Sequence, residues 1–182
     1  MTVSCPPLSD ADWPDAARDL LDGFAGRLNV YRVMAHHPDL LIAWANLRDH
    51  VVRKTSLGPE FSEVVILRTG VHLGSHYEWS HHVHRSRALG MADARIASVR
   101  GDLDGMAAED AVLAGAVDAL FTDKRLSDAQ ATAVRDLVGT GGLFDLIATV
   151  GFYSTLGYIL NSFDTPVDEG VARDLAAQPL DV

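Results

Sequence analysis

One stretch of the chain gathers side chains able to move protons. The run from Val71 to Arg87, VHLGSHYEWSHHVHRSR, holds five of the eight histidines together with Tyr77, Glu78, Trp79, Arg85 and Arg87. On a helix that starts near Ser75, Glu78 and His82 are four residues apart and Arg85 is three beyond His82, so all three share one face. A carboxylate beside an imidazole is an acid/base pair, and a neighbouring guanidinium can hold an anion. Glu63, in the segment before, reaches the same face if its helix packs antiparallel to the next across a tight turn at Gly74. Two carboxyl groups and an imidazole then surround one pocket. A carboxyl near another and away from water keeps its proton to higher pH, the condition for a general acid.

The same residues have plainer uses. Ser75 and Glu78 stand in capping-box spacing, and taken alone the spacing favours that role for Glu78. Tyr77 and Trp79 suit packing, with polar tips that need partners. His76, His81 and His84 fall on solvated or interfacial faces, and His72 closes a helix end where the dipole favours a cation. Glu78-Trp79-Ser80-His81 has the Glu-x-x-His form found in di-iron bundles. Its second copy is missing, as is any HExxH or cysteine-based signature, so neither a metal nor a cofactor is expected.

The elements that must position these groups are helical. The chain has 182 residues, 48% of them hydrophobic, enough for one core and short for two, which predicts a single domain over 1–182. Alternating β-branched runs and hairpin signals are lacking, which predicts an all-α fold. Ser9 can cap a first helix burying Trp13, Ala17, Leu20, Leu21 and Phe24, stopped at Gly26. A helical turn over 31–35 ends at His36-His37-Pro38, and Pro38 opens a helix presenting Leu40, Leu41, Trp44, Leu47 and Val51 on one side. After the break Leu57-Gly58-Pro59-Glu60, residues 61–73 are apolar around most of the circumference at Val64 to Leu67, which places that helix centrally. The histidine-rich helix runs to Leu89, with Gly90 as its terminator. A short helix over 93–99 precedes a Gly- and Asp-rich loop, Gly101 to Gly105, expected to be mobile and able to gate a site. Residues 108–121 form the next helix, and Ser127 with Gln130 is a capping box for 128–138. Thr140-Gly141-Gly142 separates this from a last helix, apolar nearly all round and buried either in the monomer or against another subunit. Its small-residue stripe Gly151, Ser154 and Gly157 suits both. The total is about eight helices.

Charge and composition narrow the partners. A formal net charge of −10 opposes binding to a polyanion, so nucleic acid is not expected. The most apolar run, Leu143 to Leu160, is interrupted by Asp145, Thr149, Ser154 and Thr155, and no membrane span is expected. Met1 to Leu8 reads as a flexible leader without the features of a secretory signal, which predicts a cytoplasmic protein. Cys5 is the single cysteine, so neither an intramolecular disulfide nor a dithiol redox cycle can form.

The stretch from Glu63 to Gly90, EVVILRTGVHLGSHYEWSHHVHRSRALG, resembles the core signature of the carboxymuconolactone decarboxylase family, which includes the AhpD alkylhydroperoxidases. His36-His37-Pro38 with Leu41 and Trp44, and Leu160-Asn161-Ser162-Phe163, resemble the flanks, extending the likeness over residues 30–165. The resemblance implies an AhpD-like helical bundle. AhpD-type members carry a Glu, a Cys-x-x-Cys pair and a His; Glu63 and His82 match the Glu and His, while Ser75 and Glu78 occupy the cysteine positions. A hydroxyl and a carboxylate cannot form the catalytic disulfide, which excludes peroxidase chemistry by that route. The Tyr-Glu-Trp form is similar to the decarboxylase-like branch and implies loss of CO2 from a small carboxylated lactone or aromatic-derived acid. Glu63, Glu78 and His82 are then the proton-transfer groups, and Arg85, Arg68, Tyr77 and Ser75 the substrate contacts. The alternatives are an AhpD-related protein without a functional thiol pair and a non-catalytic ligand-binding domain with histidines as pH-sensitive contacts between subunits. Similar family members form homo-oligomers, trimers or hexamers.

Overall fold

The computed structural model describes residues 4–180, and all regular structure among them is helical. Nine α-helices follow one another there: α1 (Arg18–Leu21), α2 (Asn29–Met34), α3 (Pro38–Asp49), α4 (Pro59–Leu73), α5 (His76–Ala88), α6 (Asp93–Ser98), α7 (Ala108–Thr122), α8 (Asp128–Ser162) and α9 (Glu169–Ala177). The bundle is built around α4, which packs on α5, α7 and α8. Its apolar circumference explains the position: Val64, Val65 and Leu67 enter one cluster with α7 and the middle of α8, while Ile66 enters another with α2 and the end of α8. Full burial of side chains of this size stabilises by about 1.5–3 kcal/mol each.

α4 and α5 form the hairpin that carries the chemistry. Gly74 closes α4 in the left-handed region at φ 58°, a conformation that costs glycine little. The Ser75 amide donates to the Gly70 carbonyl at 3.0 Å and turns the chain back. A side chain on Gly70 would meet the Glu78 Cβ at 3.4 Å, so the glycine also sets how closely the two helices approach.

After α3 the chain winds through a five-residue π turn, His50–Lys54. Such turns are uncommon and often border functional sites. This one is anchored by the Asp145 carboxylate, which accepts from the Ser56 amide at 2.6 Å and pairs with His50 Nε2 at 2.7 Å.

Several expectations are corrected. The single first helix is a 3-10 turn, Asp15–Ala17, followed by the four-residue α1; Pro14 stands just before, and Ser9 Oγ accepts the Asp12 amide in a turn of its own. The one-sided apolar face expected for α3 does not form, because apolar residues surround that helix. Leu41 is buried while Leu40 and Leu47 are exposed. The break near the start of the last helix lies at Gly139 (φ 74°, ψ 174°), and Thr140 to Gly142 continue the helix. The 101–105 segment holds a short turn, Leu103–Gly105, and is tied down through Arg68, which donates to the carbonyls of Val99 at 2.9 Å and Gly101 at 2.8 Å. Of the leader, residues 1–3 lie outside the described residues, while the Pro6 carbonyl contacts His36 and Leu8 hydrogen-bonds Arg32 through both backbone groups.

By length and composition α8 could cross a membrane, contrary to the expectation from sequence. It is bent at Gly139, and Leu146, Phe152, Leu156 and Leu160 are buried in the bundle with Asp145 beside them.

Candidate functional site

The hairpin brings Glu63, Glu78 and His82 together. Glu63 is 1%, Glu78 3% and His82 3% exposed. His82 lies between the carboxylates, Nδ1 against Glu63 Oε2 at 2.5 Å and Nε2 facing Glu78 Oε2 at 3.5 Å. Arg85, one turn along α5, donates Nε to Glu63 Oε1 at 3.1 Å. Both Glu63 oxygens are thereby engaged, whereas Glu78 Oε1 is buried and has no partner among the described residues.

The electrostatics assign the proton to the imidazole. Burial disfavours the imidazolium, but the charge and hydrogen bond of Glu63, supported by Glu78, outweigh it and raise the His82 pKa above its usual value. Burial pushes the Glu63 carboxyl up, and His82 and Arg85 together more than reverse this, holding it below the usual carboxylate range. The proton-carrying glutamate expected at this point is therefore not Glu63. His82 and Glu63 thus form a buried imidazolium–carboxylate pair.

A cavity of about 330 Å³ opens on this cluster. Glu63, Arg85 and Tyr153 contribute its polar wall near the cluster, and Val51, Ile66 and Leu89 are among its apolar lining. The π turn supplies one side, so the Asp145 anchor positions the rim. Glu78 and His82 lie behind this wall rather than on it.

Three expected substrate contacts are placed elsewhere. Arg68 forms a two-pronged pair with Asp118, Nε and one terminal nitrogen each at 2.7 Å, and its other terminal nitrogen serves the 99–101 backbone. It faces α7 because that end of α4 packs there. Tyr77 donates its hydroxyl to Asp168 at 2.6 Å and accepts the Val30 amide at 3.2 Å, joining α2 and the start of α9 to α5. Ser75, 2% exposed, caps α5 by accepting the Glu78 amide at 3.4 Å, and it borders a different cavity with Trp79 and Arg100. Arg85 alone of the four expected contacts reaches the cavity of Glu63.

The two ends of the Glu-x-x-His motif diverge. Glu78 faces His82, while His81 pairs with Asp168 at 3.0 Å and stacks on Tyr77 at 4.2 Å between ring centroids. His81 is thus buried within the chain rather than on the solvated or interfacial face expected, and His72 stacks on Phe121 with Nε2 on Asp118 at 2.6 Å. Among the described residues no three His, Cys, Asp or Glu side chains are grouped to hold a metal.

Sequence reasoning missed Tyr153, Asp145 and Asp168. Tyr153 is 4% exposed, and its ring stands edge-on to the His82 ring at 5.0 Å and 87°. The available signal was the tyrosine's own need for a polar neighbour within an apolar helix. Asp168 had no local signal, since its partners Tyr77 and Asn29 lie 91 and 139 residues away.

A model of the carboxymuconolactone decarboxylase family matches residues 38–128. The debrominase Bmp8 has a similar structure: a cysteine-to-alanine variant in complex with 2,3,4-tribromopyrrole aligns at a TM-score of 0.75 and 15% identity, covering 97% of this chain and 98% of that one. The apo form aligns at 0.74 and 15%, covering 94% and 96%. No curated protein matches the chain.

Proposed function

Since the chain belongs to the carboxymuconolactone decarboxylase family, we propose that it is an AhpD-related protein without a thiol pair, in which Glu63 and His82, backed by Glu78, exchange a proton with a small anionic molecule. One observation carries this reading: a buried imidazole stands between two carboxylates, and the nearer carboxylate forms part of the wall of a cavity.

Each residue has a separable task. Arg85 gives Nε to Glu63, and its terminal amino groups serve an incoming carboxylate. Glu63 is the atom-level contact for proton transfer. His82 holds the proton that Glu63 passes inward or outward, and Glu78 keeps the imidazolium compensated in a site nearly free of water. The apolar walls exclude water from the reacting carbon and strengthen these interactions.

Within this class, the specific reaction proposed is loss of CO2 from a carboxylated lactone. The carbon–carbon bond to the carboxylate breaks and its electron pair spreads into a conjugated carbonyl. The carbon then takes a proton from His82 by way of Glu63, so charge and atoms balance without an external electron donor. The bound tribromopyrrole of the debrominase supports a small planar ligand in this fold. With one cysteine in the chain, a thiol pair is not available for reductive chemistry.

The natural assembly proposed is a homo-oligomer, a trimer or hexamer. Its support is an exposed apolar stripe along α8, Phe144, Ile147 and Tyr158, together with the uncovered Leu40, Ile42 and Leu47 of α3.

The test is ultraviolet monitoring of a carboxylated lactone beside a peroxide-consumption assay. Lactone turnover is expected, falling on the order of a hundredfold or more in Glu63→Gln and in His82→Ala. Full turnover in both variants, or peroxide consumption by the wild-type protein, contradicts the reading.

A further inference from the structure

The proton relay and the cavity meet through Glu63, but another group stands at the same junction. Tyr153 borders the cavity on one side and the His82 ring on the other. It is held from two directions, edge-on to His82 at 5.0 Å and to Phe152 at 5.2 Å, so its ring has little freedom. Its hydroxyl lies in the field of Glu78, Arg85 and Glu63. Each Glu63 oxygen accepts one hydrogen bond, from His82 and from Arg85, which leaves a lone pair on each, and the Tyr153 hydroxyl makes no hydrogen bond to a described residue.

We infer that Tyr153 donates a hydrogen bond to the carbonyl oxygen of a bound small keto or conjugated carboxylate, steadying that oxygen as it gains charge during proton transfer at Glu63. The inference rests on the proton-transfer reading above and adds both a residue and a substrate class to it.

The complement of the cavity defines that class. Arg85 calls for a carboxylate. The apolar lining, including Val51, Ile66, Ala88 and Leu89, calls for a short hydrocarbon or ring body. A neutral donor on the same wall as the cation and an ionised carboxylate calls for an uncharged oxygen that becomes negative during the reaction. In the step itself the C–H bond next to the carbonyl breaks and its proton goes to a Glu63 oxygen. The electron pair moves into the carbonyl, whose oxygen becomes an enolate oxygen. Tyr153 shares its hydrogen with that oxygen without giving it up. Burial, followed by the neighbouring carboxylates, raises the Tyr153 pKa well above that of a free phenol, which keeps the donor protonated throughout. A fixed donor of this kind needs no reorganisation as charge develops, and loss of one typically lowers turnover about a hundredfold to a thousandfold.

The experiment follows exchange of the C3 hydrogens of 2-oxobutanoate for deuterium by proton NMR, with benzoate binding measured by calorimetry. Wild-type protein is expected to exchange the probe and Glu63→Gln to lose exchange. Tyr153→Phe is expected to lose about a hundredfold in kcat, with KM and benzoate affinity changed less than about twofold because Arg85 is intact. If Tyr153→Phe exchanges at the wild-type rate while Glu63→Gln does not, the role of Tyr153 is refuted and the proton-transfer reading stands. If the wild-type protein does not exchange the probe, the role of Tyr153 and its substrate class are refuted, and lactone turnover decides the proton-transfer reading. A measurement on the unaltered protein covers the case of a variant that does not fold: bound 4-hydroxy-3-nitrobenzoate, followed by its phenolate absorbance, should ionise at lower pH than when free. Ionisation at the free value or higher overturns the assignment of Tyr153.

Discussion

Glu63→Gln tests the electrostatic centre of the site without removing its shape. The wild-type carboxylate, 1% exposed, accepts from His82 at 2.5 Å and from Arg85 at 3.1 Å. Glutamine can still accept one of these bonds but leaves the cation of His82 uncompensated on that side. Breaking a buried pair by removing one charge costs about 3–5 kcal/mol. With the shape and one hydrogen bond kept, the lower end applies, about 3 kcal/mol, a fall in Tm of roughly 6–12 °C for a chain of this size. The pH dependence is the sharper readout. The His82 pKa is raised above the ordinary imidazole value of 6.5, so its contribution is complete below that pH and is lost as pH rises through the raised value. The Glu63 pKa is lowered beneath the ordinary carboxylate value of 4.5, so its contribution is present above that pH and is lost as pH falls through the lowered value. The gap between wild type and variant should thus be widest between those two ordinary values and narrow in both directions outside them. Urea unfolding monitored by circular dichroism from pH 4 to pH 9 measures it. A gap below about 1 kcal/mol, or one constant across that range, refutes the claim that Glu63 and His82 fold as a coupled ion pair.

Other consequences are independent of the reaction. Tyr77→Phe removes the bond to Asp168 and strands the Val30 amide, and should cost about 1–3 kcal/mol; hydrogen exchange should quicken in α9 while benzoate affinity is unchanged. Arg68→Ala should release residues 99–105, seen as faster amide exchange there, and destabilise by about 2–3 kcal/mol without altering benzoate binding. Any loss of binding in that variant would return Arg68 to the site. Placing Asp at both Phe144 and Tyr158, which are 69% and 60% exposed, should convert an oligomer to a monomer in light scattering, while a wild-type protein that is already monomeric refutes the proposed stripe interface.

The helical class, the central place of α4 and the meeting of Glu63 with His82 could be read from the sequence because each depends on short-range periodicity. Val64 to Leu67 make most of the circumference apolar, and Gly74 permits only a tight reversal, so the next helix must lie alongside. What escaped depends on distant neighbours. The resemblance that made Arg68 a substrate contact carries no sign that Asp118 waits on α7, and Tyr77 is directed by an aspartate far along the chain. α3 shows a different limit. With Leu40, Leu41, Ile42, Trp44 and Leu47 spread around it, hydrophobicity does not select a buried side, and packing against Phe152 selects Trp44.

Glu78 shows where two local rules compete and what decides between them. In a full capping box its carboxylate bonds back to the Ser75 amide, and the spacing satisfies that geometry. Only half of the box forms: Ser75 Oγ accepts the Glu78 amide at 3.4 Å. The Ser75 amide is already occupied by the Gly70 carbonyl, because Gly74 in the left-handed region folds that amide back onto α4. The turn thus removes the donor that would hold Glu78 at the helix start and leaves its carboxylate available to His82, one turn along α5. The contrast with Ser127 and Gln130 supports the point, since there the N-cap amide lacks such a competitor and both halves of the box form. A glycine turn four residues upstream is therefore what converts a capping glutamate into part of a buried relay, and Gly74→Ala should loosen the relay as well as the turn. Its expected signature is a weaker hold of the proton on His82, read as a lower pKa by NMR titration, with Gly90→Ala, which distorts a left-handed turn at the other end of α5, leaving that value unchanged.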